Sequence, residues 1–264
     1  MLATCVAAAV RAAEVIRNAA ADLRTVHWEL KGPADFVSAV DRSAEEAIAT
    51  VVSERHPDAV LMAEELSPKA VAGDLTFVAD PLDGTTNFLH GFPWYAVSIA
   101  AMSHGTLIAG AVLNASNGDL FTAARGSGAR KNGQPIRVSE LSDPSRALVG
   151  TGFPFKHREG IAPYMKMLPR IIEQVAGLRR AGSAALDLCD VACGRFDAFW
   201  ELRLAPWDVA AGILIIREAG GVVTDLDGKP DPIAHGPIVA GNPVMQRWLL
   251  TQLKEVGKEE RGVG

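Results

Sequence analysis

The sequence predicts a mixed α/β or α+β fold with helices packed on sheets, and three patterns carry that reading. Two stretches of helical periodicity come first, a run of short apolar strands follows, and the second half alternates helices with strands. Residues 2–23 hold apolar side chains at helical spacing, with Arg11, Glu14 and Arg17 on the opposite face. No positive segment precedes them, so they read as an amphipathic helix and not a signal peptide. The second helix is expected at 41–54, with Asp41 and Ser43-x-x-Glu46 as cap candidates and Pro57 beyond its end. Strands are expected at 60–63, 75–79, 95–102, 107–113 and 120–123, the last two joined by the turn Asn-Ala-Ser-Asn-Gly-Asp at 114–119. That run predicts an antiparallel sheet. Next come strand 147–150, helices 163–175 and 183–193, strand 196–202, helix 209–219, strands 222–224 and 238–240, and helix 243–256. Gly194 and the Gly220-Gly221 pair stop two of the helices.

Composition narrows the function classes. Of 264 residues 48% are hydrophobic and 22% charged, which excludes disorder and a collagen-like chain. The balance of 26 Lys+Arg against 31 Asp+Glu gives a net charge of −5. With no basic block longer than the pair Arg179-Arg180, there is no footprint for direct nucleic acid or anionic lipid binding. The longest apolar runs, such as 209–216 with Gly212 inside, are far shorter than the roughly 20 residues that span a bilayer. Three cysteines, Cys5, Cys189 and Cys193, fit reduced thiols in the cytoplasm. Cys189 and Cys193 lie four apart in an expected helix with no second pair, which reads as core packing and not zinc binding.

One stretch carries chemistry: Asp80-Pro-Leu-Asp83-Gly-Thr85-Thr-Asn-Phe88. An apolar strand delivers Asp80, Pro81 stiffens the exit, and Asp83 follows before Gly84-Thr85-Thr86 turns into a helix start. Two carboxylates on a rigid strand end can hold hard divalent cations, and N–H groups at a following helix start can hold a phosphate oxygen. The same residues also read as an acidic turn. Glu64 and Glu65 follow another expected strand, and Asp208 precedes an apolar helix, where taken alone it reads first as an N-cap. Acids on several element ends match a two-metal phosphatase. Competing chemistries lack their signatures: there is no P-loop, Gly126-Ser-Gly128 fails the dinucleotide fingerprint, and no G-x-S-x-G occurs. The spacing D-x-x-D-G-T is one residue longer than a haloacid-dehalogenase motif. His27, His56, His90, His104, His157 and His235 form no i,i+4 pair.

The combination of Asp80-Pro-Leu-Asp-Gly-Thr-Thr-Asn-Phe with Trp207-Asp208-Val-Ala-Ala-Gly212 resembles the inositol monophosphatase family. The resemblance extends over Lys31-x-x-x-Asp35-x-Val-x-x-x-Asp41, Ala63-Glu64-Glu65, Gly126 to Gly133, Gly182-Ser-Ala-Ala, Glu201 and Glu218-Ala-Gly-Gly. It implies a layered α-β-α-β-α sandwich forming one domain over 1–264, with an antiparallel-sheet half at about 1–145 and an α/β half at about 146–264. It implies a Mg²⁺-dependent, lithium-sensitive phosphomonoesterase, a homodimer, in which metal-activated water attacks the phosphate directly.

Glu64, Asp80 and the Leu82 carbonyl would hold one metal, and Asp80, Asp83 and Asp208 a second. Thr85, hydrogen-bonded toward Glu64, would orient the water, making these two the catalytic pair. The Gly84 and Thr85 N–H groups would take the phosphate, with Asp83 and Asp208 also facing the substrate. Gly182, Ser183, Ala184 and Glu201 would line the polyol side. Thr86-Asn87-Phe88 resembles the inositol phosphate branch, whereas the adenosine 3′,5′-bisphosphate and histidinol phosphate branches carry Lys at the position of Thr86. Those substrates, fructose 1,6-bisphosphate, or a non-catalytic role in a transcription complex are the alternatives. Ala63 stands where the family usually has Gly.

Overall fold

The computed structural model describes residues 1–32, 35–68, 71–156, 158–230, 232–233 and 236–259. The chain begins with α1 (Leu2–Ala20), hairpin β1 (Trp28–Gly32) and β2 (Asp35–Ser38), and α2 (Ala39–Arg55). Then come β3 (Val60–Ala63), β4 (Leu75–Asp83), α3 (Thr85–Leu89), β5 (Ala96–Ser103), β6 (Thr106–Asn114), β7 (Leu120–Ala124), β8 (Ala129–Lys131) and β9 (Gln134–Ile136). The remainder is β10 (Leu148–Thr151), α4 (Ile161–Ile172), β11 (Gly177–Arg179), α5 (Ala184–Ala192), β12 (Ala198–Leu204), α6 (Pro206–Glu218), β13 (Val222–Thr224), β14 (Gly236–Gly241) and α7 (Pro243–Glu259).

The strands form a seven-stranded sheet, ordered β3 through β9, and a five-stranded sheet, ordered β11-β10-β12-β14-β13. The first is antiparallel except where β3 runs parallel to β4. In the second, β10 is parallel to both neighbours while β14 is antiparallel to both of its own.

Strand side chains alternate between faces, and here each face finds a helix pair. Val97, Ile99 and Ala101 pack against Ala8, Ala12, Ile16 and Ile48 of α1 and α2, while Ala96 and Ala100 join α5 and α6. In β12, Phe199 faces α5 and α6 and Trp200 faces Tyr164 of α4 and Leu249 of α7. The resulting order is α1/α2, large sheet, α5/α6, small sheet, α4/α7, which is the expected five-layer sandwich. Because α6 lies between two sheets it is apolar all round, from Val209 to Ile216. Gly212 is required there, since a Cβ would lie 2.6 Å from Leu188 Cδ1 of α5.

Several boundaries differ from the sequence reading. Helix α2 is capped by Ser38, not by Asp41 or Ser43: Val40 N–H donates to Ser38 Oγ (3.2 Å), and Asp41 Oδ2 accepts Ser38 N–H (2.8 Å). Strand β4 continues past Ala79 to Asp83, and α4 carries Pro169 inside its last turn. The β1–β2 hairpin, β8, β9 and β11 have no counterpart in the sequence reading; each strand is five residues or fewer and lacks an apolar run. Cys5 and Cys189 are buried free thiols, as core packing requires, and Cys193 is half-buried. His157 and His235 lie outside the described residues. Among the described residues no helix is long and apolar enough to cross a membrane.

Candidate active site

The site is built on the irregular end of β4. Pairing with β5 runs in register to Asp80 opposite Ser98, then slips before Asp83 meets Ala96. Pro81 lies in the slip and has no N–H to give a ladder. The Leu82 N–H turns to Asp80 Oδ1 at 2.9 Å, and Asp80 and Asp83 both line one cleft of about 250 Å³. Gly84 follows at φ +93°, where an added Cβ would lie 3.0 Å from the Trp94 carbonyl, so both conformation and space call for glycine.

Asp83 joins the two halves of the chain. Its Oδ2 accepts from Ser183 Oγ (2.6 Å) and from the Ala185 N–H (2.7 Å) at the start of α5. Asn87 Nδ2 donates to the Trp94 (2.7 Å) and Ala181 (2.9 Å) carbonyls and ties down the turn before Gly182. Asp208 is the third helical residue of α6, not its N-cap, which is Ala205. Its Oδ2 accepts the Ala205 N–H at 2.7 Å, and the helix start favours its negative charge. Ser98 Oγ donates to the Trp207 carbonyl (3.2 Å) and fixes that start against β5.

Glu64 follows β3, whose Ala63 is registered with Ala79, so Glu64 lies beside Asp80. Ala63 is fully buried, and its methyl is accommodated at the end of the strand. Glu45 of α2 supports the turn by accepting the Glu65 (2.7 Å) and Leu66 (2.9 Å) N–H groups. Lys31 pairs closely with Glu65 and lies 3.7 Å from Glu64.

All eleven residues singled out from the sequence line the cleft: Glu64, Asp80, Leu82, Asp83, Gly84, Thr85, Gly182, Ser183, Ala184, Glu201 and Asp208. One expected contact is different. The Thr85 hydroxyl lies 2.9 Å from Asp41 Oδ1 and 3.0 Å from the Leu82 carbonyl, and not against Glu64. The reason is positional: α2 presents Asp41 under α3, whereas Glu64 is engaged by lysines at the mouth of the cleft. In the sequence Asp41 reads as a helix-cap candidate and as the end of the stretch that begins at Lys31, and neither reading gives it a place in the site.

Sequence reasoning also passes over Asp187. It lines the cleft from α5, is fully buried, and its Oδ1 has no hydrogen bond. Its signal is a charge within the otherwise apolar stretch Ala184–Leu188.

Burial dominates the electrostatics. It pushes Glu64 up to about 8, reinforced by Asp208, although a fifth of the Glu64 side chain meets solvent. Burial likewise raises Asp208 to about 7, with Asp83 adding repulsion, and Glu201 to about 8, with Asp208 adding repulsion. Asp80 is raised well above the carboxylate range by burial and by Glu64, Asp83 and Asp208.

A carboxyl raised by folding favours the native state below its unfolded pKa of about 4 and loses that contribution as pH rises through its folded value. The metal-free protein is therefore expected to lose stability between about pH 5 and pH 8.5. Each tenfold weakening of a carboxylic acid on folding is worth about 1.4 kcal/mol, or about 2–4 °C in Tm for a chain of this size. Scanning fluorimetry in chelator should show a fall of at least about 5 °C, and added Mg²⁺ should recover more at the alkaline end. A flat profile would contradict the buried acid cluster.

The model of the inositol monophosphatase family matches residues 1–258. An inositol-1-monophosphatase from Mesorhizobium japonicum is 42% identical over 97% of this chain and 96% of its own. The Nus factor SuhB of Pseudomonas aeruginosa is 42% identical over 96% of each chain. The crystal structure of the extragenic suppressor protein suhB from Bartonella henselae superposes with a TM-score of 0.89 at 43% identity, over 95% of this chain and 97% of that one. With the layered fold, the acid-lined cleft and these matches together, the chain belongs to the inositol monophosphatase family.

Proposed function

We propose that the protein is a Mg²⁺-dependent phosphomonoesterase acting on inositol 1-phosphate or a related polyol or sugar phosphate. The observation that carries this is the cluster of four carboxylates lining one cleft, Glu64, Asp80, Asp83 and Asp208, with Asp80 fully buried and like-charge repulsion among them. Their oxygen-only chemistry fits a hard cation. Among the described residues no three acidic, His or Cys side chains close a cage unaided. Mg²⁺ completes its shell with carbonyl, water and phosphate oxygens. Glu64, Asp80 and the Leu82 carbonyl would hold one ion, and Asp80, Asp83 and Asp208 another. Bound there, Mg²⁺ would supply charge neutralisation and a more acidic water.

The chain's own residues do the rest. The Gly84 and Thr85 N–H groups would hold the phosphate, and the Thr85 hydroxyl, relayed to Asp41, would orient and deprotonate the attacking water. Gly182, Ser183, Ala184 and Glu201 would receive the alcohol. The cleft draws Asp80 and Asp83 from one half and Ser183, Glu201 and Asp208 from the other, which supports one domain over 1–264. Lithium inhibition, a homodimer and a cytoplasmic setting belong to the same reading.

Hydrolysis of a panel of phosphomonoesters with and without Mg²⁺ tests it. Preference for a polyol phosphate and no turnover in chelator are expected; preference for adenosine 3′,5′-bisphosphate, histidinol phosphate or fructose 1,6-bisphosphate would overturn the substrate class. Glu201→Gln should lower kcat/KM for inositol phosphates more than for an aryl phosphate, by about 1.5–3 kcal/mol for one lost charge-assisted hydrogen bond. Equal losses on both would place Glu201 in folding or cleft geometry.

A second reading rests on the Pseudomonas relative, which is named a Nus factor: the chain would also act in a transcription complex. A variant without phosphatase activity that still supports that role in cells would separate the two.

A further inference from the structure

The segment 152–156, Gly-Phe-Pro-Phe-Lys, is laid across the cleft, and its placement is specific at both ends. At one end Gly152 rests on the Glu201 carboxylate so closely that an added Cβ would lie 2.0 Å from it. Along the middle, the Phe153 ring meets Phe155 (5.7 Å between centroids) and Tyr164 (5.3 Å), and the Arg180 guanidinium lies over Phe155 at 5.0 Å. At the other end Lys156 Nζ comes within 3.9 Å of Glu64 Oε1. Lys156 lines the same cleft as Asp83, Glu201 and Asp208.

We propose that Lys156 is a further substrate-binding residue that takes the phosphate dianion of the substrate, delivered over the cleft by the clamped segment 152–156. The proposal rests on the phosphatase reading and extends it. A lysine on a four-carbon stem is a mobile point charge suited to a phosphate, and the aromatic clamp restricts the backbone that carries it. When the acids are engaged by divalent cations, the attraction of Lys156 for Glu64 weakens, and a phosphate dianion in the same cleft competes for its charge.

The test uses the full chain and inorganic phosphate. Calorimetry should show phosphate binding to the Mg²⁺-loaded Lys156→Ala variant weakened about tenfold or more, with Lys156→Arg recovering most of the loss. Titration of Mg²⁺ without phosphate should give Lys156→Ala an affinity equal to or tighter than wild type, because a competing cation has been removed. Phosphate affinity within twofold of wild type for Lys156→Ala would overturn the proposal. So would a parallel loss of Mg²⁺ affinity, which would make Lys156 a support of the acid cluster. Wild-type hydrolysis of a phosphomonoester, measured alongside, isolates the failure: turnover with an indifferent Lys156 rejects only this proposal, whereas wild-type protein that neither turns over nor binds phosphate rejects the phosphatase reading as well.

Discussion

Asp83→Asn and Asp208→Asn are expected to fold as the wild type does and to lose at least about 10²-fold in kcat/KM, about 2.7 kcal/mol of transition-state stabilisation. The geometry explains both halves of that result. The hydrogen bonds that Asp83 accepts from Ser183 and Ala185 fall on one oxygen, Oδ2, and the bond that Asp208 accepts from the Ala205 N–H also falls on its Oδ2. An Asn carbonyl placed there keeps all three bonds. What is removed is the negative charge and one cation-binding oxygen. Because burial holds both carboxyls above their usual range, with repulsion from Asp83 adding at Asp208, the metal-free variants should match or exceed the wild type in Tm, while the rise in Tm on adding Mg²⁺ should shrink. Activity within a few-fold of wild type, or an unchanged Mg²⁺ response, would remove Asp83 and Asp208 from the metal site.

The acid cluster was legible in the sequence because its members sit on element ends, where a short local pattern fixes their direction. Asp80 and Asp83 share one strand end, and Asp208 opens one helix. The layer order came with the family resemblance, and the structure gives its physical counterpart: α6 is apolar from Val209 to Ile216 because it lies between two sheets. Contacts made across long sequence separations were not legible. Asp41 and Thr85 are 44 residues apart, and Asp41 already satisfies a local role at the start of α2. Asp187 lies in a helix whose pattern reads as core, and its place at the buried wall of the cleft comes from the packing of α5 against β12. The β1–β2 hairpin escaped because each strand is short and its apolar contacts run across the pair: Leu30 is registered with Phe36, and the Trp28 ring meets Phe36 at 5.4 Å.

The long-range contact between Asp41 and Thr85 leads to the other large effect. Thr85→Ala should keep Mg²⁺ affinity and lose about 10²–10⁴-fold in kcat, the usual worth of general-base assistance. The hydroxyl lies 2.9 Å from Asp41 Oδ1, so it can give its proton to Asp41 while a lone pair receives one from water. Burial raises Asp41 and makes it the stronger base for that relay. Asp41→Asn should lose as much by a different route. Its carbonyl must stay where Oδ2 accepts the Ser38 N–H, which turns the amide NH₂ toward Thr85. The Thr85 hydroxyl then receives a hydrogen bond and directs its own proton to the Leu82 carbonyl at 3.0 Å, which reverses the relay without unfolding α2. If the two residues act as one unit, the double variant should be little worse than either single one. Thr85→Ser, which keeps the hydroxyl, should retain activity within about tenfold and shift the acid limb of the kcat profile little. Additive losses, or an Ala variant with wild-type kcat, would return the role of base to Glu64, whose carboxylate lies across the cleft between Lys31 at 3.7 Å and Lys156 at 3.9 Å.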